Sequence, residues 1–448
     1  ARHRRRLRAV GWEQALDAAG DGWSSAGVPP RPGNELEVLI DGADALPAIA
    51  EELARAESHV HLAGWYLSPH LQLTRGDDPV VLWNLLAELA ERVDVRVLLW
   101  GGAPIRLFRP SRADVRLVQE ELCKDTKVQC EIDSCVGPLH CHHEKTIVVD
   151  DRVAFVGGID LTLDAGDPYD TPRHVARGRI GWHDAAARIR GPAVADVGEH
   201  FRLRWEAATE QSLPAPEPQA GQGDVELQIV RTVRDGVFAK VPRGDYSLLE
   251  AYTAALGSAE RFVYLENQFL WSPEIVAILA DKLRNPPRDD FRVVVLLPAR
   301  ANDGADVSCG QVAALIDADA GNARFLACTL YALAEAGLHD HVYVHSKIGV
   351  VDDRWLTLGS ANLNSHSLFN DTEVNVVTLD LRLARETRLR LWSEHLESPV
   401  ESIDGDPTDV FERCWERISE EQLDRLHRLR DGEGPGAFRL AGVELAQQ

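Results

Sequence analysis

Two short runs carry residue types suited to phosphoryl chemistry: His143-Glu144-Lys145 followed by Asp150, and His345-Ser346-Lys347 followed by Asp352. A phosphodiester is an anion that repels hydroxide. Cleaving it calls for cations on the non-bridging oxygens, a nucleophile better than water, and a proton for the departing alkoxide. Histidine and lysine two residues apart on an extended chain point to one face of a strand. Lys145 and Lys347 can meet the oxygens. One imidazole can attack phosphorus to give a covalent phosphohistidine while the other protonates the leaving oxygen and then activates the incoming water or alcohol. A lone H-x-K run is a polar strand end. Repeated at one spacing, it reads as two half-sites of a single phosphodiester-directed centre. This mechanism calls for no metal and no cofactor.

The repetition extends beyond the motifs. His143 to His345, Lys145 to Lys347, Asp150 to Asp352 and Asp160 to Asn362 are each 202 residues apart. The loop Gly157-Gly158 is answered by Gly359-Ser360, and upstream Val60-His61-Leu62 with Trp65 resembles Val263-Tyr264-Leu265 with Gln268. Downstream, Trp205 and Trp392 are only 187 apart, which puts extra residues of the first repeat in Leu163 to Trp182. A whole supersecondary unit is therefore duplicated.

An attacking imidazole needs its reacting nitrogen bare and its other nitrogen held by an acceptor. Asp184, in Trp182-His183-Asp184, and Glu373, in Thr372-Glu373-Val374, are placed for that role after their motifs. Asp150 and Asp352 end their strands and are expected to anchor loops through backbone hydrogen bonds. Asp160 and Asn362, beside Gly158 and Ser360, are candidates for positioning phosphate or the lysines. His140 and His142 suggest a metal, but no second ligand cluster at metal spacing follows, so they read as rim residues.

Around the motifs, apolar strands alternate with amphipathic helices. Leu36–Ile40, Ala43–Glu57, His59–Leu67, a helix opened by Pro79, and Val95–Trp100 form the first series. Val225–Val230, Ser247–Ala259, Arg261–Phe269, Pro273–Leu283 and Phe291–Leu297 replay it. The fold class expected is α/β: two similar α/β/α sandwich halves related by a pseudo-two-fold axis, with the active site at their interface. The boundaries read as an N-terminal extension 1–35, a first repeat 36–212, a Pro- and Gly-rich linker 213–224, a second repeat 225–400 and a helical C-terminal extension 401–448. The stretches Leu163 to Trp182 and Pro298 to Leu338 read as loops that set specificity.

The 448 residues carry 48 basic and 71 acidic side chains, a net charge of −23, the wrong sign for a protein that holds a nucleic-acid backbone. No nucleic-acid partner is expected; a locally positive cleft for a small phosphodiester is compatible with this total. No apolar run of membrane-spanning length occurs, and the basic start from Arg2 to Arg8 reads as a solvated tail. The chain has no methionine, not even an initiator, which points to a trimmed, processed or otherwise altered sequence and leaves room for an upstream targeting segment. It reads as soluble and peripheral to membranes, cytoplasmic or secreted. Cys123, Cys130, Cys135 and Cys141 crowd the first motif, as buried thiols in a cytosolic protein or as disulfides in a secreted one.

The paired H-x-K-x4-D motifs, from Leu36 to about Glu397, resemble the phospholipase D superfamily. His143 through Asp160, Phe262 through Phe269 and Tyr343 through Asn362 resemble the eukaryotic-type branch without its regulatory lipid-binding domains. The resemblance implies hydrolysis of phosphatidylcholine-like lipids at a membrane surface to phosphatidic acid, with headgroup exchange to alcohols. It further implies His143 as nucleophile, His345 as acid, Lys145, Lys347 and Asn362 on phosphate, Asp184 and Glu373 orienting the histidines, and Glu266 and Gln268 in support. A monomer is expected. Cardiolipin-synthase-type transfer to a lipid alcohol, action on another phosphodiester such as nucleic acid, and a catalytically dead binding module are the alternatives. Trp65, Trp100, Trp182 and Trp271 are either core packing or the wall of an acyl-chain groove.

Overall fold

The computed structural model describes residues 2–104, 109–137, 140–163, 168–169, 181–299, 305–333, 339–430 and 442–445. The first repeat runs β1 (Arg31–Ile40), β2 (His59–Gly64), β3 (Asp94–Trp100), β4 (Gln129–Asp133), β5 (Lys145–Val149), β6 (Val153–Gly157), β7 (Gly181–His183) and β8 (Ala185–Arg190). The second runs β9 (Val225–Thr232), β10 (Phe262–Glu266), β11 (Arg292–Leu296), β12 (Phe325–Leu333), β13 (His339–Val344), β14 (Ile348–Val351), β15 (Trp355–Gly359) and β16 (Glu373–Thr378). Strand pairing gives the order β1-β8-β6-β5-β2-β3-β4 in one sheet. The other sheet has the matching order β9-β16-β15-β14-β10-β11-β12. The duplicated sequence is thus a duplicated mixed sheet, joined at its edges where β1 meets β9.

Helix α1 (Arg2–Val10) precedes the sheets; α2 (Asp41–Ala54), α3 (Leu82–Leu89), α4 (Arg112–Cys123) and α5 (Val194–Thr209) belong to the first repeat. Helices α6 (Ser247–Ser258), α7 (Pro273–Arg284), α8 (Ala305–Asp319), α9 (Ser365–Phe369) and α10 (Leu381–His395) belong to the second. Alternation along each strand feeds two cores. In β5, Ile147 and Val149 pack with α2, α3 and α4, whereas Val148 joins a shared core containing residues of both sheets, α5 and α10. In the second half, Val263 and Leu265 of β10 pack with α6, α7 and α8 while Phe262 and Tyr264 face the shared core. Apolar residues on both faces of these strands explain their continuous hydrophobic runs.

The motif aspartates lie where the strands turn. Asp150 and Asp151 take φ of 55° and 51°, and Asp352 and Asp353 take 54° and 51°. Two consecutive left-handed residues make a tight hairpin that fixes the register of β5 on β6 and of β14 on β15. The Asp150 carboxylate accepts backbone N–H groups of Glu57, Ser58 and His59 at 2.8–3.0 Å. Asp352 accepts those of Glu260, Arg261 and Phe262 at 2.7–2.8 Å. Each aspartate therefore ties the start of β2 or β10 to the motif hairpin. Asp150→Ala or Asp352→Ala should lower unfolding free energy by about 2–4 kcal/mol, since several charge-assisted bonds to backbone are lost together. Urea unfolding measures it; an unchanged midpoint in both variants would contradict the anchoring role.

Several expectations need correction. The basic N-terminus is not a solvated tail. Within α1, Leu7 is buried, Arg6 bonds Asp235, Asn370 and Tyr246, and His3 meets Glu274 at 2.9 Å. Pro79 does not open a helix, because Leu73 N–H donates to Val80 O and Gln72 bridges Val81, so the chain stays extended until Leu82. Pro298 to Leu338 holds α8 and β12 rather than a long loop. Most of Leu163 to Trp182 lies outside the described residues. The C-terminal extension is not purely helical: a strand, β17 (Gly442–Leu445), pairs with β12, while Phe411 and Trp415 fill the shared core. The seven cysteines are free thiols.

Candidate active site

β5 begins at Lys145, and β14 follows immediately on Lys347, so each histidine sits just ahead of its strand where the two halves meet. The meeting is a crossover. His143 Nδ1 faces the Glu373 carboxyl of the second half at 3.0 and 3.1 Å, and His345 Nδ1 faces Asp184 of the first half at 2.6 Å. The residue before each acid holds the same histidine's backbone. Thr372 O accepts from His143 N at 3.0 Å, and His183 O accepts from His345 N at 2.8 Å. Neither half can complete a histidine–acid pair alone.

Geometry also sets the tautomers. His143 Nδ1 lies 3.2 Å from Ser360 O, and His345 has the equivalent backbone contact with Gly158. A carbonyl only accepts, so Nδ1 carries the hydrogen and Nε2 is left with its lone pair. Gly158 and Ser360 differ for a reason visible here. A Cβ on Gly158 would sit 2.1 Å from Asp184 Oδ1, whereas Ser360 Oγ donates to Glu373 at 2.5 Å. Gly158→Ala should displace Asp184 and cut kcat by about 10–100-fold with little change in KM. Wild-type kcat in that variant would remove Asp184 from the site.

Each lysine Nζ turns back onto the carbonyl of its own histidine: Lys145 reaches His143 O at 2.7 Å, and Lys347 bonds His345 O. Their outer contacts differ. Lys145 pairs with Asp160 at 3.2 Å and stands 6.0 Å from the Trp65 ring, whereas Lys347 and Asn362 share the Gln268 carbonyl oxygen at 3.5 and 3.4 Å. Asp160 therefore meets a lysine, and Gln268, bonded to Tyr343 at 2.9 Å, bridges the second lysine and Asn362.

Burial governs protonation. It pushes the His143 imidazole down to about 3, reinforced by Lys145 and Lys347, and drives His345 well below its usual range with the same lysines adding. It raises Asp184 to about 6 against Lys347, and Glu373 to about 8 against Lys145. Lys347 falls to about 7. Both imidazoles are neutral bases within the field of two lysines, as attack on an anionic phosphorus centre requires.

The middle residue of each motif points the other way, as strand alternation dictates. Glu144, fully buried, accepts from His200 at 2.8 Å, Arg204 at 2.7 Å and Thr372 at 2.6 Å. Ser346 donates to Glu266 at 2.6 Å, and Glu266 also meets His183 and His395, both at 2.9 Å. Burial works against the Glu266 charge, but His183 and His395 outweigh it and hold the carboxyl well below its usual range. Glu266 thus supports the motif from beneath. His142 is not a rim residue: it is buried, 2.7 Å from Thr372 and 2.9 Å from Asp133. Sequence reading missed His200, Arg204, His395 and Asp133. The charge of Glu144 between two catalytic-type residues was the available signal, since a strand's inward face demands a partner for it.

Trp65 stacks on Trp100 and meets His143 edge-on at 6.4 Å, and Trp182 lies 4.5 Å from the His345 ring. Trp271 is spent on a bond to Ser308. Among the described residues, no helix is long and apolar enough to cross a membrane. Three groupings of ligand-type side chains occur among the described residues: His140 with His366 and Asp371, and two around His183. In the latter two both His183 nitrogens are engaged, Nδ1 with Asp41 at 3.1 Å and Nε2 with Glu266 at 2.9 Å.

Residues 52–179 match a family model described as phospholipase D, and residues 252–393 one described as cardiolipin synthase, PLD-like domain. The chain is similar to phospholipase D A of Dictyostelium discoideum, 27% identical over 82% of this chain and 36% of that protein. It is also similar to phospholipase D2 of Bos taurus, 25% identical over 79% of this chain and 50% of that one. The chain thus spans between a third and two thirds of such relatives, 60% in the case of phospholipase D zeta 2 of Arabidopsis thaliana. In fold it is similar to a phosphatidylserine synthase of Haemophilus influenzae Rd KW20, with TM-score 0.55 and 12% identity over 87% of this chain and 89% of that one.

Proposed function

This chain belongs to the phospholipase D superfamily, and from that premise we propose that it is a phospholipase D-type phosphodiesterase acting on phosphatidylcholine-like glycerophospholipids. The observation that carries the reading is the crossover of two neutral imidazoles, each with Nδ1 on an acid from the opposite half and both within the field of Lys145 and Lys347. In the proposed reaction His143 Nε2 attacks phosphorus while the lysines take the non-bridging oxygens. The negative charge of the bound diester raises His345, whose Nε2 takes a proton from solvent water before the attack and gives it to the departing headgroup oxygen, which leaves the imidazole neutral for the second step. Water, activated by the same imidazole, then releases phosphatidic acid from the phosphohistidine. Glu373 and Asp184 hold the tautomers and stabilise the imidazolium that forms at each stage. Asn362 and Gln268 position Lys347, and Asp160 positions Lys145.

An alcohol in place of water would make the same intermediate a phosphatidyl donor. The match of the second half to a family model named for cardiolipin synthase favours transfer to a lipid alcohol as the second reading. Mass spectrometry of products from mixed phospholipid vesicles, with and without a primary alcohol, separates the two. Phosphatidic acid plus phosphatidyl-alcohol supports the phospholipase; diphosphatidyl lipid without phosphatidic acid supports the transferase. No lipid product would refute both.

A further inference from the structure

We propose that His140, His366 and Asp371 form a binding site for one divalent transition-metal ion of the zinc class, clamping the seam between the two halves next to the His143–Glu373 pair. His140 comes from the segment just ahead of the first motif, and His366 on α9 and Asp371 come from the second repeat. Their ligand atoms all lie within 4.8 Å of one another. Any such triangle contains a point within roughly 2.8 Å of all three corners, against about 2.0–2.2 Å for zinc to imidazole nitrogen or carboxylate oxygen, so modest side-chain rotation closes the site.

Two further observations point to a ligand. His140 Nδ1 is buried and lacks a hydrogen-bond partner, standing 3.7 Å from Asp371 Oδ1, beyond hydrogen-bond reach. Asp371 Oδ1 is already oriented by Cys141 N–H at 3.0 Å, the outer-shell support that metal-binding carboxylates usually have. His366 is exposed and gives the ion a path from solvent. Two imidazoles and one carboxylate leave a fourth position for water. Arg234 and Arg6 also act on His140, Arg6 being paired with Asp235 at 2.6 Å. Two imidazoles among three ligands disfavour calcium or magnesium, which bind through oxygen, and select ions that bond imidazole strongly even against those cations. Segment 140–143 already runs alongside 371–373 through Thr372 N to Cys141 O and His143 N to Thr372 O, so the ion would fasten an existing seam.

Cobalt(II) is the probe, titrated into the full chain and followed by its visible ligand-field absorption, with zinc added to displace it. One equivalent should bind, and zinc should raise the melting temperature. His366→Ala and His140→Ala should each weaken binding at least about 100-fold. His366→Ala, at an exposed position, should melt like wild type without metal. His143→Ala and His345→Ala should bind cobalt as wild type does. Absence of a bound equivalent, survival of the bands in His366→Ala, or their loss in the His143 and His345 variants would overturn the proposal; the last would put the ion on the catalytic pair.

Discussion

His143→Ala is expected to lower kcat by at least about 10⁴-fold, because it removes the nucleophile and leaves only lysine-based charge stabilisation. His345→Asn should be as slow on a phospholipid, yet behave differently on a phosphodiester with a nitrophenolate leaving group. Nitrophenolate needs no proton to depart, so the first displacement proceeds without the acid, and the phosphohistidine then waits for a base that is gone. A stoichiometric burst of nitrophenol without turnover is the expected trace for His345→Asn, and no burst for His143→Ala. Bursts in the opposite variants would exchange the two roles. The near two-fold symmetry of the site makes this the sharpest distinction between its halves.

The second large effect concerns the crossed acids. Glu373→Gln and Asp184→Asn keep their shapes but cannot become anionic to stabilise the imidazolium as it forms, and a loss of about 10³–10⁴-fold in kcat is expected, in line with removal of an orienting carboxylate elsewhere. Stability should move the other way. Burial raises Glu373 to about 8 from 4.5 in the unfolded chain. Its contribution is fully present below pH 4.5 and is lost as pH climbs through 8, since the native state holds the proton that the unfolded state has released. Glu373→Gln carries no such loss. Its melting temperature relative to wild type should therefore rise between about pH 5 and pH 8, the opposing acid-side effect of His143 being common to both proteins. A difference that stays constant or shrinks over that window would mean that Glu373 is ionised in the native state throughout.

What the sequence made legible was whatever repeats. Identical spacing of His143 and His345, Lys145 and Lys347, and the two glycine loops exposed both half-sites, and the shared downstream context exposed Asp184 and Glu373. Strand alternation correctly set histidine and lysine on one face. The crossing of each acid to the opposite histidine was not legible, because it depends on how two sheets abut rather than on any spacing within one. The same holds for His366 and Asp371 beside His140: residues more than two hundred apart become neighbours only through the seam. Helix α8 escaped notice because its apolar residues lack a clear stripe, and α1 because five arginines masked the single buried Leu7 that docks it.

Transfer is expected to run as a double displacement through a histidine in a site built from both halves. Configuration at phosphorus tests it most directly. A phosphatidylcholine analogue made chiral by sulfur and oxygen isotopes, converted in the presence of an alcohol, should give a product of net retained configuration, because two in-line displacements each invert the centre. Net inversion would mean a single direct attack by the acceptor and would rule out a phosphohistidine intermediate.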